Sequence, residues 1–117
     1  MEIRAPGKRI AACIAGAGFL LATVHASAAG DVKAGRAKAI MCQTCHGLDG
    51  LSKIPDAPNI AGQPEPYLVE QLKAYKSGAR KNEMMSVVVP NLSDADIENL
   101  AAYYSAIEIS AGKLPGG

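Results

Sequence analysis

The sequence predicts an all-α domain: three main helices, two irregular loops and no sheet. Three observations carry the prediction. Apolar residues recur at helical spacing in three separate segments, Pro and Gly gather between those segments, and the one run that resembles a strand, Val87 to Val89, is ended by Pro90 and has no partner run.

The first element is not part of that domain. Arg4, Lys8 and Arg9 lead into the almost uncharged run Ile10 to Val24, which is followed by Ala26-Ser27-Ala28-Ala29. Basic, apolar and small-residue segments in that order make a secretory signal peptide, with cleavage expected after Ala28. The apolar run is shorter than the ~20 residues that span a bilayer, so a stable membrane insertion is not expected once the leader is removed. Ile10-Ala11-Ala12-Cys13 has the outward form of a lipobox, but here most of the apolar run follows the cysteine. Cys13 therefore reads as an ordinary residue of the leader. The division expected is residues 1–28 as leader and 29–117 as one domain.

Within the domain, Asp31 is a natural N-cap for a helix over residues 31–41, rich in good helix formers. That helix leads straight into Cys42-Gln43-Thr44-Cys45-His46. Residues 47–66 hold four prolines and three glycines with no sustained apolar period, which predicts a long loop that wraps something. A second helix runs from Pro66 to Ser77, with Gly78 just past its end and Leu68, Leu72 and Tyr75 along one face. Residues 79–92 read as a second irregular segment. The third helix opens at Ser93 with Asp96 as a capping-box partner. Its stripe is Ile97, Leu100, Ala101, Tyr104 and Ile107, and it is expected to close near Ser110 and Gly112.

Loss of the leader removes three of twelve basic residues and one of eleven acidic ones, leaving nine against ten. A chain that close to neutrality exerts no broad pull on nucleic acid. The leader also takes Phe19, the only phenylalanine, and there is no Trp. A domain of about ninety residues with so few large aromatics is marginal unless a bulky apolar group supplements its core.

Cys42, Cys45 and His46 admit three chemistries. A redox dithiol belongs in a βαβ context, and no strands are predicted to build one. A structural zinc site takes four ligands, yet without the leader no other Cys or His remains, and adjacent Cys45 and His46 would crowd one tetrahedral ion. Covalent haem attachment uses each residue differently, with a thioether bond from each cysteine and one axial ligand from His46. For the opposite face of the iron the candidates are Met41, Met84 and Met85. Met41, next to Cys42, is tied to the histidine side of the ring, which leaves Met84 and Met85.

With these residues placed, the chain resembles a small bacterial class I cytochrome c, similar to the monohaem periplasmic cytochromes and to one domain of the dihaem c4-type cytochromes. The resemblance rests on Cys42 to Gly50, Pro58-Asn59-Ile60-Ala61-Gly62-Gln63, Tyr67-Leu68 with Gln71-Leu72, and Leu92 to Tyr104. It implies a class I cytochrome c fold, three main helices wrapped around one haem c. It also implies Met85 as the iron's sixth ligand, since that methionine usually lies seven residues before the leucine of the L-S-D stretch. Pro58 would accept the N–H of His46, Ile60 and Leu72 would pack on the porphyrin, and Tyr67 would lie near it. Gly35 would let the first helix cross Tyr103 or Tyr104 closely. Ser86-Val87-Val88-Val89-Pro90 departs from the more polar stretch of relatives and leaves the loop shape open.

The function implied is that of a periplasmic carrier of single electrons, needing no catalytic acid, base or nucleophile, with redox proteins such as a respiratory complex, oxidase or dehydrogenase as partners. Two alternatives stay open: an electron-accepting subunit of a periplasmic dehydrogenase, and a haem enzyme or sensor with an open iron site. Lys73, Lys76, Arg80 and Lys81 form a basic cluster that either steers an acidic partner or is an ordinary solvated helix end.

Overall fold

The computed structural model describes residues 29–116, so the expected leader, with Cys13 and His25, lies outside the described residues. Five α-helical segments follow in order: α1 Val32–Lys38, α2 Gln43–His46, α3 Glu65–Ser77, α4 Met85–Val88 and α5 Asp94–Ser105. Single 3-10 turns at Ala39–Met41 and Val89–Asn91 lead into α2 and α5, and no strand occurs among the described residues.

α1 begins where Asp31 caps it, the carboxylate accepting the Ala34 N–H at 2.8 Å. It tightens into the 3-10 turn after Lys38, three residues before the end expected from helix-forming composition, and this turn aims the chain at Cys42. α3 starts one residue earlier than expected, with Pro66 in its first turn, and ends at Gly78, whose N–H donates to the Tyr75 carbonyl at 3.2 Å. α5 has the full capping box. Ser93 Oγ accepts the Asp96 N–H and Asp96 accepts the Ser93 N–H, both at 3.0 Å.

Two expectations need correction. The third main helix stops at Ser105, well short of Ser110, because the Tyr104 carbonyl accepts the Gly62 N–H at 2.9 Å from the long loop. A helix end claimed by another segment does not propagate. Residues 79–92, expected to be irregular, instead wind into α4 and the second 3-10 turn. Val87 to Val89 are helical, with Val89 only 1% exposed and Pro90 at the start of a turn that needs no N–H from it.

The core is made by α3, α5 and the turn before α5: Leu68, Tyr75, Val89, Leu92, Ile97, Leu100, Ala101 and Tyr104, with Ala39 from the first turn. α1 lies across α5. At Gly35 a Cβ would collide with the Asn99 carbonyl and with Cβ of Tyr103, so the helices approach as closely as backbones allow. The expected crossing therefore involves Tyr103 and the Asn99 backbone, not Tyr104. Asn99 Oδ1 also accepts the Asp31 N–H at 2.7 Å, and Lys38 pairs with Asp96 at 3.1 Å, so polar contacts hold both ends of the crossing.

Gly35→Ala is expected to lower stability by at least ~1–3 kcal/mol, the usual range for overpacking, read from the thermal unfolding of the haem-loaded protein. Acid will act at the α5 cap. The Ser93 N–H and then Lys38 hold the Asp96 carboxyl below its ordinary range. A depressed folded pKa contributes stability above the unfolded value and loses it as pH falls through the folded one. Stability should therefore decline below about pH 4, and Asp96→Asn should flatten part of that decline in denaturant titrations at several pH values.

Candidate haem site

The site is built on the single turn of α2. The Cys42 carbonyl accepts N–H groups from Cys45 at 3.3 Å and His46 at 3.0 Å. Residues three and four apart on a helical turn share a face, so Cys42, Cys45 and His46 project together. Gly47 ends the turn at φ 74, a left-handed conformation that few other residues adopt readily.

Both thiols are free and half-buried. Burial, and then the neighbouring Cys45, push the Cys42 thiol up to about 11, against a smaller opposing effect of the Tyr104 hydroxyl. That direction is opposite to the lowered thiol pKa of a reactive cysteine. Nor does any group of three or more His, Cys, Asp and Glu side chains converge on a common metal point among the described residues.

His46 is 8% exposed, and its Nδ1 lies 2.9 Å from the Pro58 carbonyl. A carbonyl only accepts, so Nδ1 is the donor of this bond and Nε2 is the nitrogen left over. Nε2 makes no hydrogen bond among the described residues, and it is not sealed inside packed protein. An imidazole aimed and held by its back nitrogen, with a free front nitrogen, is a prepared metal ligand.

The loop that supplies Pro58 is closed by its own hydrogen bonds. Ile60 and Ala61 both donate to the Gly50 carbonyl, at 2.8 and 3.1 Å, and Lys53 donates to the Cys45 carbonyl at 2.8 Å. Its base is tied to α5 by two adjacent tyrosines: Tyr103 donates to the Leu48 carbonyl at 2.7 Å and Tyr104 to the Gly47 carbonyl at 3.2 Å. Sequence reasoning assigned these hydroxyls no role at the site. The available signal was that buried tyrosine hydroxyls take a hydrogen-bond partner, but the sequence does not say which one.

Cys42, Ile60, Leu72 and Met85 all pack, partly buried, against the one core cluster. Met84 is 63% exposed, and Tyr67, at 46%, stands outside the cluster. The basic cluster is partly consumed internally. Lys76 pairs with Asp94 at 2.8 Å, and Arg80 stacks 4.7 Å from the Tyr75 ring while donating to Gln71 at 2.7 Å. Two open depressions lie elsewhere, about 680 Å³ beside Tyr75, Ser77, Asn82 and Pro90, and about 450 Å³ beside Leu48 and Tyr103. Neither takes in Cys42, His46 or Met85.

Two free thiols and an imidazole with an open Nε2, together on one face of a single turn, fit attachment and ligation of a metal-bearing macrocycle. Comparison with known proteins agrees. The family model for cytochrome c matches residues 32–107, and the chain belongs to that family, which implies a covalently bound haem c. The chain is 46% identical over 87 residues to cytochrome c4 of Pseudomonas aeruginosa, covering 74% of this chain and 43% of that protein. It is 41% identical over 80 residues to the thiosulfate dehydrogenase electron acceptor of Thiomonas intermedia, covering 67% of this chain and 36% of that one. The crystal structure of reduced cytochrome c4 from Pseudomonas stutzeri superposes with a TM-score of 0.66 at 42% identity, over 72% of this chain and 49% of that one. The chain thus spans less than half the length of these relatives.

Removing the hydroxyls should show what they hold. Tyr103→Phe, which removes the one hydrogen bond found to the Leu48 carbonyl, and Tyr104→Phe, whose Gly47 carbonyl keeps the Gly50 N–H at 3.2 Å, are each expected to cost roughly 0.5–1.5 kcal/mol in chemical denaturation of the haem-loaded protein.

Proposed function

We propose that this domain is a periplasmic one-electron carrier with a six-coordinate His/Met haem c. The observation that carries the reading is the imidazole of His46, oriented by Pro58 with Nε2 left free, one turn from two uncommitted thiols. Cys42 and Cys45 would hold the ring through thioether bonds, and His46 and Met85 would bind the iron, which supplies one-electron oxidation and reduction when bound.

The chain's own residues then act in support. The Pro58 carbonyl fixes the imidazole plane and raises its basicity. Ile60 and Leu72 supply apolar walls that disfavour the extra charge of the oxidised iron, and Tyr67 would flank the ring. Met85 is favoured over Met84 because it packs inward while its neighbour faces solvent. The leader expected at residues 1–28 supports export, with cleavage after Ala28. One Cys-x-x-Cys-His motif in the sequence supports a single haem. No helix among the described residues is long and apolar enough to cross a membrane.

A second reading has support from the Thiomonas relative, whose name assigns it as electron acceptor of a dehydrogenase. On that reading this chain receives electrons from a periplasmic dehydrogenase and would copurify with it.

The visible spectrum of the haem-loaded ferric protein tests the coordination. It should show the weak red-edge band of a methionine–iron bond. Met85→Ala should abolish that band and open the ferrous protein to carbon monoxide, while Met84→Ala should leave both unchanged. A wild-type protein without the band that binds carbon monoxide readily would point to an open iron site and end the carrier reading.

A further inference from the structure

Between the end of α3 and buried Val89, the backbone that carries Met84 and Met85 is held chiefly by one side chain. Asn82 Oδ1 accepts the N–H groups of Met84 and Met85, each at 3.0 Å. The Asn82 N–H donates to Ser86 Oγ at 3.0 Å, and the Ser86 N–H returns to the Asn82 carbonyl at 3.0 Å. These four bonds within five residues make Asn82 an N-cap in chemical terms, although regular α-helix begins only at Met85. The Val87 and Val88 N–H groups both bond the Met84 carbonyl, at 3.0 and 3.2 Å, and extend the ordered turn to α4.

The clamp also bears on which methionine faces the core. Consecutive helical residues point ~100° apart, so of two adjacent methionines on one turn only one faces a given wall. Met85 packs on the core and Met84 is 63% exposed. We propose that Asn82, with Ser86, is a positioning residue that clamps the turn bearing Met85 and so keeps its thioether at the sixth coordination position. The inference rests on Met85 as that ligand. A backbone ordered in advance has little conformational entropy left to lose when its side chain binds, so the clamp favours the bound state over release. Loss of an N-cap corresponds to roughly a fivefold change in such a local equilibrium.

Imidazole titration of the haem-loaded ferric protein reads this directly, because imidazole occupies the sixth position only when the methionine leaves. Asn82→Ala should bind imidazole roughly fivefold more tightly than wild type. Asn82→Asp keeps an oxygen acceptor for both N–H groups and should bind as wild type does. Ser93→Ala, which weakens the distant α5 cap, should lower the thermal midpoint without changing imidazole affinity. If Asn82→Ala does not accumulate in loaded form, Ser86→Ala replaces it, with a smaller shift in the same direction. An unchanged affinity in Asn82→Ala, or in Ser86→Ala when it stands in, overturns the proposal. So does an equal tightening in Asn82→Asp or in Ser93→Ala. Met85→Ala separates the two layers. If it binds imidazole far more tightly than wild type while Asn82→Ala does not, only the clamp fails. If it binds no better than wild type, Met85 is not the ligand, and the coordination reading falls together with the clamp.

Discussion

The close crossing of α1 over α5 is the constraint on which the site depends. At Gly35 the two backbones meet with no room for a Cβ, and the polar contacts of Asp31 with Asn99 and of Lys38 with Asp96 hold the crossing at either end. α1 delivers Cys42 to one side of α5, and the tyrosines on the same stretch of α5 fasten the chain again just after His46. A five-residue motif too short to be stable as an isolated helix is thereby held between two attachments to one long helix.

Polar satisfaction accounts for much of the rest. The irregular segment from Gly47 to Pro64 could not be buried or ordered without partners for its backbone groups. It finds them internally at Gly50, at Asn59, whose side chain accepts the Ser52 N–H at 2.7 Å, and at the Tyr104 carbonyl. The same closure brings the Pro58 carbonyl to His46. The closed loop thus also fixes the tautomer of His46, through a backbone atom that no side-chain substitution removes.

Much of this was legible in the residues themselves. The stripe of Ile97, Leu100, Ala101 and Tyr104 marked α5, and those four residues are buried. The Ser93 and Asp96 spacing marked the start of that helix, and Asp31 marked the start of α1. What was misread has a common cause. Residues 79–92 read as irregular, but Val89 is buried in the core and the segment before it is capped by Asn82, so residues 85–91 are helical. The composition after Ser105 is compatible with helix, but a glycine more than forty residues earlier takes the carbonyl on which continuation depended.

Sequence by itself determined the chemistry: thiol, thiol and imidazole at fixed spacing, three helical stripes and a methionine pair, all of which are local patterns of residue type. Tertiary structure decided how those groups are held: which hydroxyls fasten the motif, how residues 85–91 wind, and where α5 stops. The tyrosine contacts join residues 55 and 57 positions apart. Periodicity records only what neighbours along the chain share, so contacts of that range are set by packing and by the need of buried polar atoms for partners.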